Sequence, residues 1–251
     1  MIADLLLGAS VCSLFASLIP ACYRDYRYRK IPVATWKFAA MVGIPLSFAS
    51  FLIRVVTGSI SPDAVPMLVG IALVAAAAAF ALGYIEVFGG ADSIAIIIIV
   101  LTLFYVPVSH SLFVFAFINN TVIVCLLIFL AIFAKNVVER NYRDLSIRQF
   151  PLMFVGTKIP FAHFTTYHGI VLEEVTAEDG ALSRRFMDFS RNFRMERDRF
   201  TTAIAASEQA DLYRQAGKVW VMYVLPFIIP ITAGLAVTLG VGDVVQILLH
   251  L

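Results

Sequence analysis

Gly89-Gly90-Ala91-Asp92 is a two-glycine turn that ends in a carboxylate, and an uncharged run from Ser93 to Val106 follows it at once. Counted from Asp92 to the residue before Pro107, the run is about 15 residues long. A helix that crosses a membrane needs roughly 20 mostly apolar residues for about 30 Å of hydrocarbon. A shorter one headed by an acid suits a helix whose end lies below the lipid surface, inside protein or beside a wet cavity. Asp92 is then either an ordinary helix cap after a Gly-Gly turn or an acid placed for chemistry.

Working outward, the composition says membrane. With 251 residues, 61% hydrophobic side chains and a mean hydropathy of +0.89, the chain carries more apolar surface than a soluble core of its size could hide. Six apolar spans can be drawn, at about Ile2 to Tyr23, Ala34 to Val56, Ala64 to Val87, Ser93 to Val106, Ser111 to Ala134 and Val219 to Leu239. The first lacks a basic leader and a small-residue cleavage site, so it is expected to be a retained helix. The expected fold class is an α-helical polytopic membrane protein with six transmembrane helices and a small α+β cytoplasmic domain inserted between helices five and six. The corresponding division is 1–134 for helices one to five, 135–218 for the insertion, and 219–251 for helix six and the tail.

Orientation follows from the basic residues. Arg24, Arg27, Arg29 and Lys30 follow the first span, most of the remainder lie between Lys135 and Lys218, and Arg54 falls elsewhere. With six spans the two basic regions share one side, which the positive-inside rule makes cytoplasmic, leaving both termini extracellular. The same parity brings Asp25, Glu86 and Asp92 to the inner face and sends Asp4, Asp63 and Asp243 to the outer one. In the insertion, Phe150 to Val155 and His168 to Val175 read as strands, Lys158 to Phe161 as a strand with a turn, and Ala177 to Gly180 as a turn. Ser183 to about Gln215 reads as a helix that carries Phe186, Phe189, Phe193 and Phe200 on one face.

A net charge of +2 is too small to indicate nucleic acid as a partner. Cys12, Cys22 and Cys125 have no paired or ligand-like spacing and read as small buried hydrophobes. His110, His163, His168 and His250 show no zinc spacing, so neither a metal nor another cofactor is expected. Ionisable residues at the edge of a lipid-buried bundle are costly and are functional candidates by default. Asp25, with Arg24 and Arg27 beside it, is either a solvated charge in a basic loop or the partner of Asp92. Two carboxylates in one poorly solvated site share a proton, because a second negative charge is disfavoured there. Such a pair can activate water with one group and polarise a carbonyl with the other.

Two motifs give the pairing a family resemblance. Gly89-Gly90-Ala91-Asp92 resembles the signature of the GxGD intramembrane aspartyl proteases, and Asp25-Tyr-Arg-Tyr-Arg-Lys-Ile-Pro32 is similar to the segment after the first helix of type IV prepilin peptidases. Six spans with an insertion before the last resemble the archaeal preflagellin peptidases in particular. The resemblance departs at Ala91, where the signature has glycine, and at Val33, where asparagine is usual. No cysteine-rich domain is present near the N-terminus, so the methyltransferase activity of bacterial relatives is not expected.

The resemblance implies an aspartic endopeptidase that uses Asp25, Asp92 and a water, without metal. Gly89, Gly90 and Ala91 would admit a substrate strand or act as a hinge. The implied partner is a preflagellin or type IV pilin-like precursor with a short basic leader and a following apolar helix, cut at the cytoplasmic face of the cell membrane. Glu173, Glu174, Glu178 or Asp179 would meet the leader's positive charge, and the Arg184 to Arg199 cluster would rest on lipid headgroups. The alternative from another class is a small transporter or assembly scaffold, in which Asp92 caps a broken helix or couples protons.

Overall fold

The computed structural model describes residues 1–85, 87–108, 111–161, 169–178, 181–186, 209–223 and 225–249. The chain is mostly helical and forms two compact units, Met1–Cys125 with Pro226–Leu251, and Leu126–Leu225. Four helical segments are long and apolar enough to cross a membrane: Ile2–Tyr28, Ala34–Val56, Pro62–Tyr84 and Phe113–Val138. Gly90–Leu103 and Ile228–Gly240 are apolar but shorter.

The first unit begins with α1 (Ile2–Tyr28). The second span is α2 (Ala34–Phe38), one π turn at Ala39–Gly43, and α3 (Ile44–Val56). These two spans meet through small polar side chains, the kind of contact that lets helices approach closely in lipid. Ser10 Oγ donates to Gly43 O at 2.8 Å, Ser50 Oγ donates to Ala3 O at 2.7 Å, and a Cβ on Gly43 would stand 2.5 Å from Ser13 Oγ. At the same end Arg54 pairs with Asp4, which also holds the terminal amine of Met1 at 3.0 Å. The basic residue that departs from the charge asymmetry is therefore ion-paired, sharing Asp4 with the terminal amine.

Next come α4 (Val65–Tyr84), α5 (Gly90–Leu103) and α6 (Phe113–Val138), with the two-residue strands β1 (Pro107–Val108) and β2 (Ser111–Leu112) between the last two. Short α5 lies innermost: Ser93, Ala95, Ile98, Ile99, Val100, Thr102 and Leu103 are buried, and it packs on α1, α3 and α4. Being enclosed by protein, it does not need to match the bilayer thickness. The core joins Leu14, Leu18, Trp36, Phe51, Ile99, Leu103, Phe113 and Phe117.

The second unit is built on one apolar strand. It contains α7 (Leu152–Val155), β3 (Gly156–Pro160), β4 (Gly169–Val171), β5 (Glu173–Glu178), β6 (Ala181–Phe186), α8 (Gln209–Ala216) and β7 (Lys218–Tyr223). The sheet order is β3-β7-β4, antiparallel, with Lys158 opposite Trp220 and Ile170 opposite Met222; β5 and β6 form a separate hairpin. Val219 and Val221 join one apolar cluster with Ile159 and Tyr213, while Trp220 and Met222 join Leu152, Met153 and Leu172 on the other face.

Several expectations change here. Val219 to Tyr223 is not the head of the last span but the central strand β7. The helix of that span starts at Ile228, as α9 (Ile228–Gly240), followed by α10 (Val244–Leu249). Phe150 to Val155 is a turn and the one-turn helix α7, because Pro151 supplies no N–H for a ladder. Ser183 to Phe186, read as helical, pairs with β5 as part of β6. The stretch read as one strand from His168 is divided at Leu172 into β4 and β5.

Glu173 is 2% exposed and so cannot meet a leader: its Oε1 accepts the Trp220 N–H at 2.9 Å, with Arg184 3.7 Å away. Arg184 in turn donates to the carbonyls of Lys218 and Ala216, an engaged side chain rather than one free for headgroups. Cys12 is exposed, and Cys22 and Cys125 are half-buried. Glu86, Asp179, Phe189, Phe193, Phe200 and all four histidines lie outside the described residues.

Candidate active site

Asp25 sits in the last turn of α1, half-buried. Its Oδ2 accepts the backbone N–H of Ile228 at 3.2 Å. Ile228 opens α9, where the first N–H groups have no partner inside the helix and the helix dipole favours negative charge. One turn earlier on α1, Cys22 Sγ lies 3.2 Å from Thr232 Oγ1 and 3.7 Å from Ile228 O, so the two helices are in contact around the acid. Arg24 donates to Thr35 Oγ1 at 3.3 Å, and the cation within electrostatic range of Asp25 is Arg29, at the left-handed C-cap of α1.

Asp92 is the third residue of α5 and is also half-buried. Its Oδ2 accepts the N–H of Gly89, the N-cap residue, at 3.2 Å. This is the reciprocal half of a capping box, and glycine has no side chain to supply the other half. The cap reading is thus correct as a description of one carboxylate oxygen. A Cβ on Gly89 would stand 2.7 Å from that oxygen, so the first glycine is what lets the carboxylate fold back; a Cβ on Gly90 would meet nothing within 4 Å. Ala91, the half-buried second residue of α5, lies between Gly90 and the acid. A Cβ on Gly83 would stand 2.8 Å from Ser93 Cβ, which shows how closely α4 approaches α5 beside Asp92.

One aromatic pair ties the two halves together. Phe88 stacks on Phe227 with ring centroids 5.6 Å apart and planes inclined by 26°. Phe88 precedes the glycine that donates to Asp92, and Phe227 precedes the isoleucine that donates to Asp25. The two carboxylates lie within electrostatic range of one another. Among the described residues no hydrogen bond joins them and neither Oδ1 accepts one. The arrangement therefore offers two fixed acids, each with one anchored and one open oxygen.

The structure brings Asp25, Asp92, Gly89, Gly90 and Ala91 into one region and separates the surroundings of the two glycines. Phe88, Phe227, Ile228 and Thr232 were missed. Pro226 was the available signal, since proline just ahead of an apolar run marks a helix start rather than a helix interior.

Residues 148–244 match the family model for the archaeal peptidase A24 C-terminus, type II. The matched stretch includes Phe227, Ile228 and Thr232 but neither acid. No curated protein matches the chain.

Proposed function

From the match of residues 148–244 to the archaeal A24 peptidase C-terminus and the apolar helices around it, we propose that this multi-pass membrane protein is an A24-type peptidase and an intramembrane aspartyl endopeptidase. Its substrates are preflagellin or type IV pilin-like precursors, from which it removes the short basic leader. Asp25 and Asp92 are the catalytic pair and hold one proton between them. The ionised member takes a proton from water as the water oxygen bonds to the scissile carbonyl carbon, while the protonated member hydrogen-bonds the carbonyl oxygen. The C–N bond then breaks, and the departing nitrogen takes a proton from the pair, which returns to one charged and one neutral carboxylate.

In this reading α5 and α9 complete six crossings, the basic segments face the cytoplasm, and both termini are extracellular. The insertion from residue 135 is cytoplasmic, and the acids lie at the inner membrane face. A lipid-embedded helix has its backbone groups internally paired, so a peptidase reaches an unwound stretch most readily at the membrane surface.

What carries the proposal is the pair of acids at helix ends, each anchored by a backbone amide through one oxygen and open at the other. The test is to incubate the purified protein in detergent with a precursor of basic leader plus apolar helix and to weigh the products. Hydrolysis gives a leader and a mature chain whose masses sum to precursor plus one water. The Asp92–Gly89 bond favours the rival reading, a helix cap in a transporter or scaffold, and an uncut precursor would select it.

A further inference from the structure

The first unit has an apolar groove that the acids do not explain. Between α4 and α6 lie two cavities of about 500 and 240 Å³. Both are lined by Ala75, Ala78 and Ile118, so they are stretches of one groove. Its α4 wall belongs to the least buried of the four long apolar segments. Only 11% of the most apolar window of Pro62–Tyr84 is buried, against 28–33% in the other three long spans. On the facing helix Phe115 and Ile118 are 52% and 45% exposed.

Length and position narrow what can fill it. From Pro66 to Leu82 the wall runs about 24 Å at 1.5 Å per residue. That is close to the roughly 30 Å of a hydrocarbon layer, the length of a membrane helix. Gly70 and Ala78 on this wall are small, which lets a helix backbone approach closely. The groove ends at Phe88 and Phe227, the stacked pair beside the donors to both acids. A helix lying in the groove is thereby aimed, by one of its ends, at Asp25 and Asp92.

We propose that the α4/α6 groove is the docking site for the apolar helix of the precursor, seated with its N-terminal end at Phe88 and Phe227. The assignment rests on the peptidase reading for the identity of the occupant. The leader, which precedes that helix, then extends past the acids, and the bond between leader and helix lies over them. Docking buries apolar side chains against protein and gives the substrate its depth and register.

The test separates docking from chemistry by using the full chain in lipid vesicles with a precursor that carries an apolar helix of about 20 residues. A photo-crosslinking side chain placed at Ala78 is expected to capture the precursor, in the Asp92→Asn background as well as in the active chain. The same group at Phe80, 65% exposed on another face of α4, is expected not to. Ala78→Phe is expected to raise KM for this precursor about tenfold, while hydrolysis of a leader peptide without the helix is unchanged. Capture without hydrolysis by the active chain would uphold the groove and refute the peptidase chemistry. Hydrolysis without capture at Ala78, capture of lipid alone, or an unchanged KM in Ala78→Phe would overturn the groove.

Discussion

The backbone N–H of Ile228 holds the Asp25 carboxylate at 3.2 Å, so the head of α9 fixes an acid that lies more than 200 residues away in sequence. Proline fits the first position of a helix, where its missing N–H costs the helix nothing. Ile228→Pro therefore removes this donor, with an added strain at Phe227, whose helical backbone a following proline disfavours, and Ile228→Val keeps the donor while trimming the same side chain. A hydrogen bond to a charged group contributes about 1.5–3 kcal/mol, so kcat of the proline variant is expected to fall roughly 10- to 100-fold. The valine variant is expected to stay within about threefold, since one buried methylene is worth about 1 kcal/mol or less. Steady-state cleavage of a leader-bearing precursor checks both.

The two glycines of the central turn are expected to respond in opposite ways. Gly89→Ala pushes a methyl group into the Asp92 carboxylate and breaks the cap, with kcat falling at least about tenfold as the acid leaves its position. Gly90→Ala meets open space inside the first turn of α5 and is expected to raise stability by about 0.5–1 kcal/mol with activity kept. Thermal unfolding and cleavage rates measured on the same preparations decide this.

Phe88 and Phe227 are expected to couple. Aromatic pairs contribute about 0.5–1.5 kcal/mol beyond their buried area. A double-mutant cycle with Phe88→Ala and Phe227→Ala should return a stability coupling in that range, and the double variant should cleave little more slowly than the slower single one. Additive losses would mean that the stack does not link the two acid-bearing segments.

Much of this site was legible in the residue order, for a physical reason. An acid trailing the first span and an acid heading the fourth fall at the same end of a serpentine bundle, and Gly-Gly before the second acid marks a turn. The donors were not legible, because a backbone N–H leaves no mark on residue identity. Val219 to Tyr223 was misread because a short, wholly apolar run has no periodicity that distinguishes a doubly buried strand from a helix. Glu173 was misread as a surface charge, because its burial is set by β7, whose Trp220 N–H it accepts from far along the chain.

The buried Glu173 carboxylate gives an expectation independent of catalysis. Glu173→Ala leaves the Trp220 N–H without its acceptor, while the partly exposed Arg184 keeps its two carbonyl acceptors, so the stability of the second unit should fall by about 1–3 kcal/mol. Glu173→Gln keeps an oxygen for the amide and should lose less. Denaturant unfolding followed by tryptophan fluorescence checks the order of the two.

Tyr213 sets an alkaline limit on the same unit. Burial pushes its hydroxyl above the ordinary value of 10.0, so the folded state keeps the proton that the unfolded chain gives up first. This contribution is complete below pH 10 and is lost as pH rises from there through the folded value. Stability measured at successive alkaline pH should therefore fall more steeply in the native chain than in Tyr213→Phe.

The most direct measurement compares the native chain with Asp25→Asn, Asp92→Asn and the double variant in single-turnover cleavage of one precursor. Each single variant should insert and fold normally yet cleave about 10³-fold more slowly or worse. The double variant should be no slower than the slower single one, because the two groups act as a unit. Native-like cleavage by either folded single variant would contradict the two-aspartate mechanism.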